Sequence, residues 1–169
     1  MMNLSRVFRA SALSTVLTAT LFASVALGAA PSWAVTKLTD SQASSQLSAS
    51  GIGRSSSGGC TNRYGSTCTS YEQINQETVS GIKTFKSISG CAITITGGTE
   101  IGHASGTYSH WNGYKVDVPL TSCISNYITS HYAYAGTRGD GAVLYKAPSG
   151  NVYARESNHW DITYYTCGC

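Results

Sequence analysis

All six cysteines of this 169-residue chain, Cys60, Cys68, Cys91, Cys123, Cys167 and Cys169, follow an apolar N-terminal segment that ends in small residues. Arg6 and Arg9 form a short basic start, and a charge-free run from Ala10 to Ala30 follows, with small-residue cleavage motifs ending at Ala30 and Ala34. This layout reads as a secretory signal over residues 1–34; the competing reading is a membrane anchor, since the run is about long enough to span a bilayer. Export to an oxidising compartment makes an even cysteine count a disulfide framework rather than a thiolate metal site. Spacing favours Cys60 with Cys68, closing a Gly/Asn-rich loop, and Cys91 with Cys123. Cys167 and Cys169 are left over, and a direct bridge between them would be a strained ring.

The 135 residues from Val35 to Cys169 suffice for one domain with one core. Without Arg6 and Arg9 they carry nine basic and eight acidic residues, a formal +1 that gives no bulk attraction for nucleic acid. Sequons for N-glycosylation are absent after residue 34. The expected product is secreted, free of the membrane after signal cleavage, and monomeric. It divides into a Ser/Gly-rich segment over 35–59 and a folded domain over 60–169.

Thr39 and Gln42 make a capping box for a short helix with Leu38, Ala43 and Leu47 as its apolar stripe. A longer helix is expected from Ser70, with Gln73 three residues on, through Tyr71, Ile74, Val79, Ile82 and Phe85 to a stop at Gly90. Cys91–Thr96 alternates like a strand, and Asn112-Gly113 is a two-residue hairpin signal with positive φ at both positions. Tyr114–Val118 follows as a strand with Val116 and Val118 on one face and Lys115 and Asp117 on the other. A helix near 121–132, strands over 141–146 and 151–156 around Pro148-Ser149-Gly150-Asn151, and a last strand from His159 to Tyr165 complete the pattern. Together these elements predict an α+β domain: an antiparallel sheet of four to six strands under two or three helices, stapled by disulfides.

The chemistry concentrates in two clusters, His110 with Asp117 and Glu156 with His159, in a chain with only four histidines and eight acidic residues. Two imidazoles and a carboxylate are a sufficient ligand set for a catalytic zinc ion, and the remaining Glu is placed to act as a general base. The plainer readings are a surface or hydrogen-bonded histidine, a turn carboxylate at Asp117, and a Glu156 that pairs with Arg155 or Lys146. His131 reads as structural. Trp111 and Trp160 either wall the site or fill the core, the tyrosines read as half-buried packing, and Arg138-Gly139-Asp140 as an incidental integrin-type string.

The run from Thr96 to Ser105, followed by His110, Gly113, Asp117, Glu156, His159 and Trp160 in that order, resembles the zinc D-Ala-D-Ala carboxypeptidases and dipeptidases. That superfamily also holds lysostaphin-type peptidases and the Hedgehog signalling domain; Gly102-His103-Ala104-Ser105 is closest to the Hedgehog branch and Glu156-x-x-His159-Trp160 to the peptidases. The resemblance covers residues 91–165 and implies His110, Asp117 and His159 as Zn2+ ligands, Glu156 as catalytic base, and peptidoglycan stem peptides cut beside D-alanine as substrates. Two positions depart from the pattern. The Arg that such peptidases carry ahead of the first ligand is missing, the region offering Thr99 and Glu100, so His103 is assigned the electrophilic role. Tyr108 stands where the family has Ser or Thr, with Ser109 adjacent. Two other functions fit parts of the pattern: a Hedgehog-like zinc module that binds a partner without turnover, and a metal-free nuclease using Glu, His and Arg.

Overall fold

The computed structural model describes residues 35–165, so the expected signal over residues 1–34 and Cys167 with Cys169 lie outside the described residues. Two short strands, β1 (Lys37–Leu38) and β2 (Gly53–Arg54), flank the helix α1 (Asp40–Ala49). The Thr39–Gln42 capping box forms as expected, and Ala43 and Leu47 are its buried residues. Next come β3 (Ile74–Asn75), α2 (Gln76–Ser89) and β4 (Thr94–Ile95). A five-stranded sheet and one helix make up the rest: β5 (Lys115–Pro119), α3 (Ser122–His131), β6 (Ala133–Thr137), β7 (Val143–Lys146), β8 (Val152–Arg155) and β9 (His159–Thr163). The sheet is antiparallel throughout in the order β5-β9-β8-β7-β6, while β1 pairs with β3 and β2 with β4 in two small ribbons. The α+β architecture is therefore as the sequence predicts.

Alternation along β5 and β9 decides which residues meet. Val116 lies opposite Ile162 and Val118 opposite Trp160, all fully buried with Ile124 and Ile128 of α3 and Val79, Ile82 and Phe85 of α2. Lys115, Asp117, His159 and Asp161 take the other parity and face away from this core. Trp160 thus fills the core rather than walling the site, and its indole N–H donates to Ser125 Oγ at 3.1 Å. Disulfides join Cys60 to Cys68 and Cys91 to Cys123, across 8 and 32 residues; the longer loop restricts the unfolded chain more.

Three local expectations need correcting, and one strand was not expected. The second helix begins at Gln76, not Ser70, because the backbone of Ser70–Asn75 bonds to other partners and turns at Glu72-Gln73: Thr99 N–H donates to Ser70 O, Gln73 N–H to Leu38 O, Ile74 N–H to Tyr71 O, and Gln73 adopts φ 65°. Only Thr94–Ile95 of the expected Cys91–Thr96 strand is extended, paired in parallel with β2. Asn112-Gly113 does form a turn, but Gly113 alone has positive φ (76°) and no strand precedes it; His110 O accepts from Gly113 N, and β5 finds its partner in β9. Strand β6 had no sequence signal, since Ala-Tyr-Ala-Gly-Thr is a mostly exposed edge strand without alternation. Among the described residues no helix is long and apolar enough to cross a membrane.

Candidate metal centre

Asp117 projects from the middle of β5, buried, and three imidazoles surround its carboxylate. His110 Nε2 lies 3.2 Å and His159 Nε2 3.6 Å from Oδ1, and His103 Nδ1 lies 3.8 Å from Oδ2. Each comes from a different element: His103 from the glycine-rich loop after β4, His110 from the turn before β5, and His159 from the start of β9. Glu156 joins them because its N–H donates to His159 O, closing a four-residue turn between β8 and β9 that explains the Glu-x-x-His spacing. Its Oε2 stands 3.4 Å from His159 Nε2.

The far nitrogen of every imidazole is committed to an acceptor. His110 Nδ1 meets Gly98 O at 2.6 Å, His159 Nδ1 meets Asn158 Oδ1 at 2.7 Å, and His103 Nε2 meets Glu100 Oε1 at 3.1 Å. Those oxygens only accept, so in the neutral rings the far nitrogen holds the proton and the near nitrogen presents a lone pair. Three lone pairs then face one carboxylate whose buried Oδ1 has no hydrogen-bond partner among the described residues. That arrangement repels itself unless a cation or added protons sit within it, and far nitrogens anchored on carbonyl or carboxylate oxygens are what metal-bound histidines show. The donor set fits a divalent ion: His103, His110 and Asp117 form a group that could hold a metal, with ligand atoms within 4.8 Å of one another.

His103 and His110 are stacked, with centroids 3.8 Å apart and planes inclined by 16°. The group contains His103 where the sequence placed His159, which lies 3.6 Å from Asp117 Oδ1 beside it.

Counter-charges fix the walls. Glu100 is buried, which alone would raise its pKa; hydrogen bonds from His103 and from the backbone N–H groups of Ser70 and Gly98 outweigh burial and hold it below the ordinary carboxylate value. Since the folded state binds its proton less tightly than the unfolded chain, this contribution is present above the ordinary Glu range and lost as pH falls through the depressed value. Glu100→Gln is therefore expected to destabilise the protein by about 1–3 kcal/mol at neutral pH, with the gap closing in acid, as urea unfolding across pH would show. Burial likewise opposes the His110 cation, but the negative charges of Asp117 and Asp161 beside it raise its pKa.

Three residues of this site were not expected from sequence: Asp161, Lys115 and Arg138. Asp161 sits directly across from Asp117 in the β5–β9 register, and two carboxylates so placed repel. Its Oδ2 is held by Lys115 Nζ at 2.6 Å and Arg138 Nη1 at 3.1 Å, and these outweigh burial to keep its pKa low. The His159-x-Asp161 and Lys115-x-Asp117 spacings were the readable signal for two of them. Arg138, from the β6–β7 loop, carried none. Its guanidinium also contacts Glu156 Oε1 and Asp140, which it draws down to about 2. The string Arg138-Gly139-Asp140 is thus part of the site wall, and Glu156 pairs with Arg138 rather than with Arg155 or Lys146. His131 is remote, stacked on Tyr127 with its Nδ1 on Tyr127 O. Trp111 is partly exposed beneath the Arg63 guanidinium.

The centre opens into a cleft of about 570 Å³. Asp117, Asp140, Glu156 and Asp161 line it against Lys115 and Arg138, a formal balance of −2 that one divalent cation would cancel. Fold and site together define a disulfide-stapled α+β domain with a candidate metal centre. No protein-family model matches the chain, and no curated protein or solved structure matches it either.

Proposed function

We propose that this protein is a secreted zinc peptidase that hydrolyses peptide bonds next to D-alanine in bacterial cell-wall peptides. One observation carries the reading: His110 and His159 converge on the orphaned Asp117 Oδ1 and His103 on its Oδ2 in an open cleft, with Glu156 Oε2 3.4 Å from His159 Nε2. His110, Asp117 and His159 hold the ion. A bound zinc ion supplies Lewis acidity, bringing a water within reach of deprotonation near neutral pH and polarising a carbonyl. Glu156 would serve as the base, taking a proton from the attacking water and passing it to the leaving amine. His103, fixed by Glu100, is stacked on His110, and in its protonated form, with N–H on both ring nitrogens, it would donate toward a developing oxyanion; Lys115 and Arg138 hold Asp161 in place. Purified peptidoglycan digested with and without chelator tests this. Fragmentation is expected to stop with chelator and return when zinc is restored; chelator-resistant cleavage would sink the reading.

The Arg138–Glu156 contact supports a second reading, a zinc module that binds a partner without turnover, because it occupies one oxygen of the base. One equivalent of bound zinc with no release of any cell-wall fragment would favour it.

A further inference from the structure

We propose that the centre takes an internal bond of a chain lying through it, and does not trim a residue from a free carboxyl terminus. The inference rests on the peptidase reading and deepens it from charge and from shape.

Trimming a terminal residue means desolvating the carboxylate one residue beyond the cut bond, a charge best met by an available cation. Among the described residues lining the cleft, the permanent cations are Lys115 and Arg138, and both are taken. Lys115 Nζ holds Asp161 Oδ2 at 2.6 Å. Arg138 spends Nε on Asp140 at 3.0 Å, Nη1 on Asp161 at 3.1 Å, and Nη2 on Asp140 and Glu156. A divalent ion at Asp117 only cancels the formal −2 of the cleft. A terminal carboxylate would therefore meet four acidic side chains and no unspent positive charge, whereas an uncharged amide pays no such penalty.

The cleft is also not blind. On the His103 side it shares Gly102, His103 and Ser109 with a second cleft of about 270 Å³ that reaches Ile101 and Trp111. On the Glu156 side it shares Asp140 and Glu156 with a third of about 440 Å³ that runs over Val143 and Arg155. The two outer clefts have no lining residue in common, so a chain passing through all three keeps residues on both sides of the cut. Hydrolysis there adds water across one amide. Its oxygen, with one hydrogen, bonds to the carbonyl carbon, the C–N bond breaks, and the other hydrogen leaves on the new amine. The carboxylic acid formed ionises in an acidic cleft, which favours its departure.

The test uses the zinc-loaded protein and three peptides sharing one D-Ala-D-Ala bond: a free acid, its C-terminal amide, and a version extended by two glycines and amidated. Calorimetric binding is measured alongside cleavage. The amide and the extended peptide are expected to bind, and to be cut by kcat/KM, at least about tenfold better than the acid. Asp140→Asn, which releases part of Arg138, should narrow that preference within the same protein. Equal or better binding of the acid, or release of single D-alanine from it at the highest rate, overturns the inference. Absence of cleavage with the binding order amide above acid would instead remove the peptidase reading and leave the charge selectivity standing.

Discussion

Asp117→Asn is expected to lower affinity for a divalent ion by more than about 100-fold, because lost outer-shell partners alone cost 10–100-fold and Asp117 faces the ion directly. The substitution removes the negative charge on which His110, His159 and His103 converge. It also supplies an amide N–H₂ that can donate to the facing lone pairs, so the metal-free protein loses its repulsion without a cation. Two signatures follow. The wild-type protein should melt at a higher temperature with zinc than without, by an amount that grows with zinc concentration. The variant should lose that response while melting no lower than the metal-free wild type. Calorimetric zinc titration with thermal melts checks both, and an unchanged zinc response in the variant would remove Asp117 from the ligand set.

Glu156→Gln separates turnover from metal binding. The amide keeps the shape of the side chain and an oxygen for Arg138, but it cannot accept a proton from water. Activity on cell-wall peptides is expected to fall by about 10²–10⁴-fold, the range for removing a general base. Zinc stoichiometry should stay the same, because Glu156 is adjacent to His159 without being needed to hold it. Turnover and bound zinc measured on one preparation make the comparison. Activity retained in this variant would move the proton-accepting role from Glu156 to another group.

The parts of this molecule that were legible in sequence are those set by local periodicity. The Thr39–Gln42 cap, the Gly90 stop and the helix over Ser122–His131 follow from side chains near in the chain. Parity along β5 also placed Asp117 opposite Val116 and Val118 before any partner strand was known. What escaped reading depends on contacts distant in sequence. Ser70–Asn75 has a helical apolar pattern, yet backbone bonds to β1 and to Thr99 hold it as a turn at Glu72-Gln73 leading into β3. Arg138 belongs to the site because an edge strand without alternation, β6, delivers its loop beside Glu156 and Asp161. His103 was visible as a residue, but its role depends on a buried Glu100 that sequence offered only as the absence of an arginine.

Gly97 forms an isolated bridge with Asp117, and a Cβ at position 97 would run into the Asp117 carboxylate. The room for the charge is therefore made by a missing methyl group one strand away from it. Gly113 plays the same part behind the His110 turn, where a Cβ would strike the backbone of Gln73 and Ile74. A chain that kept every ligand but carried alanine at either place would look competent in a motif search and still have nowhere to put the centre. Surveys for further proteins of this design should weigh these two spacers as heavily as the histidines.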